Sequence, residues 1–294
     1  MPREKGHSLW GDAWHRLRGD RAAMVCLALV VLFTLLAIYG ECTHRYYEHH
    51  DLTPPYQVVN LDEAYKPPSM SHWMGTDGLG RDVATRLVQG VRIAYKVGII
   101  TSFIAIPIGV ILGCLAGFFG GKVDDFIVWL YSTFASMPGL LFILAIAMVV
   151  PGKGLLGVYL GIGLTTWVGL CRLVRGEVMK HKEQTYVQAA KALGLGSGRI
   201  MFRHILPNIT HVIIVTFTLR FPAAVGTEVF MSFLGIGVQS EPSWGLMINS
   251  ARMRLWQGMW WEMTFVTIAL FLLVLAFNLL GDALRDALDP RLND

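Results

Sequence analysis

An all-α membrane protein with six transmembrane helices is the fold class this sequence predicts, and three observations carry that prediction. Hydrophobic residues make up 54% of the 294 positions and charged ones only 16%, against about 25% charged in an ordinary soluble domain. Six apolar runs, each long enough to span a bilayer and nearly free of charge, are separated by polar segments. Lys and Arg fall unequally between alternate segments. With the N-terminus inside, fifteen of the 25 lie on the inner side and nine on the outer, and Arg220 is the remaining one. The net charge of +4 is therefore a signal of topology, and it does not point to nucleic acid.

Residues 1–21 form a basic tail on the cytoplasmic side, with Arg3, Lys5, Arg16, Arg18 and Arg21. Residues 22–40 follow without a charge, about 28 Å as a helix. This run is too long for the apolar part of a cleaved signal and no A-x-A site follows it, so it reads as a signal-anchor span. Residues 41–92 are polar and expected outside the membrane, extended and irregular around Pro54-Pro55 and Pro67-Pro68. The run from Gly75 to Asp82, GTDGLGRD, invites a phosphate-cradle reading. Against it, no strand precedes the run and the Lys-Ser/Thr of a P-loop is missing. Arg81 to Lys96 alternates basic and apolar residues at helical spacing and is expected as a helix on the membrane surface.

Residues 93–282 make the transmembrane core. The second span, 97–121, carries glycine every fourth residue at Gly109, Gly113, Gly117 and Gly121. Such a smooth stripe admits a second helix closely, and packing within the subunit is favoured over a dimerisation face. The third span, 126–150, is expected to bend at Pro138. A turn at 151–154 leads to the fourth, 155–171, with Gly157, Gly161, Thr165 and Gly169 at the same spacing. The fifth span runs from Ile209 to about Phe230 and the sixth from Met263 to Leu280, with a polar loop between them. Residues 283–294 are a cytoplasmic tail. Cys26, Cys114 and Cys171 fall in or beside apolar runs and Cys42 in a polar segment, with no metal or disulfide spacing.

Between the fourth and fifth spans lies a polar stretch, 183–207, placed in the cytoplasm by the charge count. Tyr186, Ala190 and Leu193 form a single apolar stripe along its first helix. Gly194, Gly196 and Gly198 interrupt it, Ser197 is positioned to cap a second helix, and Pro207 is expected to end that helix. A helical hairpin of this size is too small for a domain and right for a docking surface.

Here the chain resembles a family. Permease subunits of type I ABC importers carry a cytoplasmic loop written Glu-Ala-Ala, three residues, Gly, nine residues, Ile-x-Leu-Pro. This sequence has Gln188-Ala189-Ala190, Gly194, His204 and Leu206-Pro207 at the matching places, with Gln188 in place of the acid and His204 in place of the Ile. The GTD-x-x-GRD run, Ser8–Arg16 (SLW-x-DA-x-x-R), Ser232–Gln239 (SFLGIGVQ), Pro242–Gly245 (PSWG) and Phe277–Arg291 (FNLLGDALRDALDPR) are similar to the peptide/nickel, OppC-like branch. The resemblance implies a MetI-like core of five helices with one added N-terminal span, in a bacterial inner membrane. It implies a second, OppB-like permease, two OppD/OppF-like ATPase subunits holding ATP and Mg²⁺, and an extracytoplasmic peptide-binding protein. Tyr186, Gln188, Ala189, Ala190, Gly194, His204, Leu206 and Pro207 would then form the ATPase-coupling loop.

The chain itself shows no P-loop, no H-E-x-x-H and no G-x-S-x-G, so neither an enzyme nor a bound cofactor or metal is expected. An ion-coupled secondary carrier is the alternative class. Such carriers place carboxylates near the midplane, whereas the six apolar cores here hold only Glu228, near the outer end of the fifth. Arg220 and Glu228 are the intramembrane candidates for a pathway or partner-permease contact. His211 and Arg220, nine residues apart, point to opposite helix faces.

Overall fold

Residues 9–150 and 154–288 are described by the computed structural model of the chain, and among them the ordered elements are helical apart from one bridge between Thr76 and Asp82. A short helix, α1 (Leu9–Gly19), leads to α2 (Arg21–His49). Asp20 caps α2, accepting from the amides of Ala22 and Ala23, a contribution of about 1 kcal/mol. The first span therefore does not stop at residue 40. Glu41 carries α2 onward because it is paired with Arg45 at 2.7 Å and with Lys96 at 2.7 Å.

The next helix, α3 (Val83–Phe119), is 37 residues long, about 55 Å. Residues 83–96 are not a separate surface helix: they are its N-terminal third, and Arg86 and Arg92 among them are buried. Arg86 is paired with Asp77 at 3.4 Å. Arg92, 1% exposed, meets Glu41 at 3.6 Å and Glu241 of a later loop. Charges that look like headgroup contacts in the sequence are thus neutralised within the fold.

The third span is sharply bent. α4 (Gly121–Ser136) and α5 (Gly139–Val149) meet at 91°, with Met137 and Pro138 at the break. Residues 151–153 of the expected turn lie outside the described residues. The fourth is also interrupted, as α6 (Leu155–Thr165) and α7 (Val168–Lys182), and it extends eleven residues beyond Cys171. After the hairpin comes α10 (Thr210–Phe233), reached from α8 (Thr185–Ala192) and α9 (Ser197–Ile200) through a π turn at Met201–Ile205 and a 3-10 turn at Leu206–Ile209. Pro207 does not end the helical run. It occupies the first turn of the 3-10 segment, where no amide donor is needed, and the chain winds on into the membrane. The polar loop 231–262 contains α11 (Trp244–Arg252), and α12 (Trp261–Leu288) closes the described chain. Residues 283–288 are helix and not a loose tail: Ala283, Leu284 and Ala287 pack with Leu17, Ala23 and Cys26. Residues 289–294 and Ser8 of the sequence motifs lie outside the described residues.

Among the described residues, five stretches are long and apolar enough to cross a membrane: Arg21–His49, Val83–Phe119, Leu155–Lys182, Ser197–Phe233 and Trp261–Leu288. The bent α4/α5 pair makes a sixth if it counts as one span. α3 is the hub, touching α2, α6, α7 and α10. In lipid there is no hydrophobic gain from pairing apolar helices, so close packing must hold them together. The glycine stripe supplies it. A Cβ at Gly109, Gly113 or Gly117 would stand 2.9, 2.7 and 2.7 Å from the carbonyl oxygens of Trp167, Cys171 and Arg175. Those carbonyls also recur every fourth residue, so the backbones of α3 and α7 lie against each other. Gly157 and Gly161 do the same for α6 against the carbonyls of Ala147 and Ile143 on α5. Farther out, Phe221 of α10 stacks on Phe277 of α12 with centroids 4.1 Å apart, worth about 0.5–1.5 kcal/mol beyond burial.

Candidate coupling site

The 183–207 stretch is an exposed hairpin on a fixed base. Its buried side is Val187, Ala190, Ile200, Met201 and Ile205, packed on Val174 and Val178 of α7 and on Cys114 and Phe118 of α3. The stripe is therefore Val187–Ala190. Leu193, expected on it, is 81% exposed, and Tyr186 is more than one-third exposed. Tyr186 still has a partner, its hydroxyl standing 2.9 Å from His181 Nδ1.

α8 ends in a Schellman turn. The Leu195 amide donates to Ala190 O and the Gly194 amide to Lys191 O, while Gly194 takes φ +75°, a torsion suited to glycine. Leu195 packs with Ala190 beneath the turn. Gly196, and not Ser197, caps α9: the Ile200 amide donates to Gly196 O, and Ser197 is the first helical residue with no side-chain cap bond. Gln188 donates from Nε2 to Lys182 O at 3.2 Å, closing the last turn of α7. A carboxylate has no proton to give there, so glutamine at this position ties the hairpin to the helix that carries it.

The outward side of the hairpin is left bare. Ala189, Ala192, Leu193, Gly194, Gly196, Gly198 and Phe202 are exposed, with Arg199 and Arg203 beside them. None of the three glycines has an atom within 4 Å of where a Cβ would stand. Packing within the chain thus gives no reason for Gly196 or Gly198 to lack a side chain. His204 is half-buried and Leu206 packs inward, while Pro207 is exposed.

Behind the hairpin, the base is braced. Arg175 of α7 makes two 2.6 Å hydrogen bonds to the Asp124 carboxylate of α4, the bidentate geometry in which such pairs are strongest. Arg172 lies over the Tyr131 ring at 4.7 Å. Neither contact is visible in the sequence, since the partners lie 51 and 41 residues apart.

The two intramembrane candidates differ in their surroundings. Glu228 is fully buried and accepts from Ser232 Oγ at 2.7 Å, while Ser232 Oγ accepts from the Val238 amide. It fastens the loop after α10 and faces no open space. Arg220 reaches the break between α6 and α7, donating to Thr166 O and, at 2.7 Å, to Thr166 Oγ1.

At the opposite end of the molecule GTD-x-x-GRD is a structural knot. Asp77 accepts from the Leu79 and Arg81 amides and from Arg81 Nε. Asp82 caps α3 through the Thr85 amide, and Trp261 Nε1 donates to Thr76 O at 3.0 Å. His72 bridges Asp82 at 2.9 Å and Glu63 at 3.2 Å. The Asp82 contact, with Glu63 adding to it, raises the His72 pKa above its ordinary value. Among the described residues no group of three His, Cys, Asp or Glu could hold a metal ion.

Residues 109–294 match the family described as binding-protein-dependent transport system inner membrane component, and residues 8–68 match the N-terminal transmembrane domain of oligopeptide transport permease C. The chain belongs to the OppC-like permeases of ABC importers. The oligopeptide transport system permease protein OppC of Bacillus subtilis (strain 168) is 39% identical over 98% of this chain and 92% of its own length. The dipeptide transport permease DppC of the same strain is 40% identical over 96% and 85%. A glutathione transport permease, GsiD of Pectobacterium atrosepticum, is 35% identical over 96% and 91%. Among solved structures, a chain of the MetNI methionine ABC transporter aligns with TM-score 0.55 and 19% identity, over 69% of this chain and 96% of that one. At that identity the likeness speaks for the fold alone, and the permease has a MetI-like core. It is a multi-pass membrane subunit of an ATP-driven, binding-protein-dependent importer.

Proposed function

We propose that this permease forms half of a peptide pathway in a bacterial inner membrane and that the 183–207 hairpin is where ATPase subunits drive it. The observation that carries the reading is the hairpin: bare and smooth on its outer side, yet joined through Val187, Ala190, Ile200 and Gln188 to α3 and α7. A second, OppB-like permease completes the pathway. Two OppD/OppF-like ATPase subunits hold ATP and Mg²⁺, and an extracytoplasmic binding protein delivers the peptide. The solutes for which the relatives are named, oligopeptide, dipeptide and glutathione, support a peptide-like cargo. The N-terminus and the hairpin lie in the cytoplasm, and residues 50–82 lie outside. Closure of the ATPase pair on ATP moves α8 and α9, and with them α7, which alternates the access of the pathway.

Two measurements test this. Purified alone, the permease should not hydrolyse ATP; with its ATPases, hydrolysis should appear and rise with loaded binding protein. Uptake that persists on a proton gradient without ATP would overturn the reading. A reporter inserted near Lys66 should be external while one after Asp294 is cytoplasmic, and finding both on one side would overturn the topology.

A further inference from the structure

Among the described residues, one arc of α10 is left partly uncovered, its hydrogen bonds beyond α10 being those of Arg220 with Thr166. Thr216, Arg220, Ala223 and Thr227 fall within about 60° of one another around the helix, and each is exposed or half-exposed. The faces this protein turns to lipid look different. On α12 the exposed residues at helical spacing are Ile268, Phe271, Leu275 and Leu279, all bulky and apolar. The α10 arc carries two hydroxyls and a cation, with the exposed Leu219 and Phe230 along one edge.

Arg220 lies ten residues from the start of α10 and thirteen from its end, about 15 and 20 Å, which is mid-membrane. It has no ion pair with any acid among the described residues, and its Nε has no hydrogen-bond partner. An uncompensated cation at that depth is costly unless it faces water or an anion. A second, independent feature sits beside it. The span Leu155–Lys182 is broken at Thr166 and Trp167, and irregular backbone at membrane depth persists only where protein buries it or it lines a water-filled cavity. At this break, carbonyls are met by side chains: Leu164 O by Trp167 Nε1, Ile162 O by Thr166 Oγ1 and Thr166 O by Arg220. The contacts to Thr166 hold the guanidinium in place and leave its charge unpaired.

We infer that the Thr216–Arg220–Ala223–Thr227 arc lines the solute pathway and that Arg220 determines specificity there by taking the carboxylate of the passing peptide. This rests on the reading that the chain forms half of a peptide pathway. Charge complementarity selects the occupant: every peptide with a free C-terminus carries the anion that no described residue supplies to Arg220. The hydroxyls of Thr216 and Thr227 are turned back to Val212 O and Ala223 O, so the rest of the arc offers a smooth wall without further fixed sites.

The test uses the transporter assembled with its own partner subunits in proteoliposomes. Cys42, the exposed cysteine, is replaced by Ser, leaving the buried Cys26, Cys114 and Cys171, and Ala223→Cys is introduced. Membrane-impermeant thiosulfonates of opposite charge should both react at residue 223. The anionic reagent should react several-fold faster, and Arg220→Gln should erase that preference while Arg220→Lys keeps it. In uptake, Arg220→Gln should lower the preference for trialanine over trialanine amide about tenfold, and Arg220→Lys should restore it. No labelling in any nucleotide state would mean that lipid or the second permease covers the arc, and the inference falls. Loss of permease pairing in Arg220→Gln would assign Arg220 to an acid of the second permease, and labelling without charge preference would remove the anion role. The labelling does not depend on any peptide, so a transporter that imports no peptide would overturn the substrate reading separately.

Discussion

Gly194 and Gly198 lie four residues apart on the bare rim of the hairpin, and one methyl group added to each asks what that rim is for. Gly194 has φ +75° and nothing within 4 Å of a new Cβ, so Ala there costs about 1–2 kcal/mol in backbone torsion and nothing in clash. Gly198 also has nothing within 4 Å, but it is helical, in α9, where Ala is better than Gly by about 0.5–1 kcal/mol. The same atom on the same surface therefore moves hairpin stability in opposite directions. If a smooth rim docks the ATPases, both substitutions should weaken their binding. If only the turn geometry matters, Gly194→Ala should weaken it about 5- to 30-fold, the population equivalent of its torsional cost, while Gly198→Ala should bind as well as the parent or better. The assay is titration of purified ATPase subunits onto the permease in nanodiscs, with thermal unfolding as the control for folding. Should both variants bind and couple ATP hydrolysis like the parent, the rim is not the docking surface and the coupling reading of this hairpin is wrong.

Three further outcomes follow from single contacts. Gln188→Ala and Gln188→Glu both remove the donation to Lys182 O, so each should cost about 0.5–1 kcal/mol and speed amide exchange in the last turn of α7; unchanged protection in both would show that the contact is idle. Gly113→Ala drives a Cβ to 2.7 Å from Cys171 O and should destabilise by about 1–3 kcal/mol, whereas Gly169→Ala, helical and with open space, should hold the unfolding temperature or raise it. The His72 clamp should depend on pH with a definite sign. Its folded pKa is raised above 6.5, so its contribution is full below that value and is lost as pH rises through the folded pKa. Glu63, lowered chiefly by Lys66 and then by His72, loses its contribution only in acid. Proteolysis of the 50–82 segment should therefore accelerate on the alkaline side, and His72→Gln should flatten the profile.

Much of the fold is legible in the sequence because apolar length and charge placement are local properties. Six charge-poor runs report spans directly, and Gly194 among three close glycines reports a turn whose torsion is left-handed. What the sequence hides is pairing over distance. α2 and α3 are longer than their apolar runs because Glu41, Arg92, Lys96 and Glu241, scattered over 200 positions, neutralise one another. Without those partners in view, Arg86 and Arg92 read as headgroup contacts. The hairpin stripe is misassigned for a related reason. Tyr186 and Leu193 share a helical face with Ala190, but the face that packs is set by Val174 and Val178 of α7, which favours Val187. The same blindness applies to Arg220, whose partner Thr166 is 54 residues away.

The mechanical consequence lies in how these contacts are placed along two helices. α7 bears the hairpin at its C-terminal end through Gln188 and the Val174–Val178 face, and its N-terminal end stops at the Thr166 break that Arg220 holds. Along its length it is fitted to α3 by three glycines against three carbonyls, and close-packed backbones of this kind cannot slide without clash. α3 is then tied toward its N-terminal end to α2 through Glu41 and to the loop after α10 through Glu241. A displacement applied at α8 should thus move α3 and α7 as one body and be felt about 40 Å away along α3, at the ion pairs of Arg92. The break at Thr166 is where such a body can turn against α6. The cation that holds that joint is also the one we place on the pathway wall, so movement of the lever and release of a bound carboxylate would be coupled through Arg220.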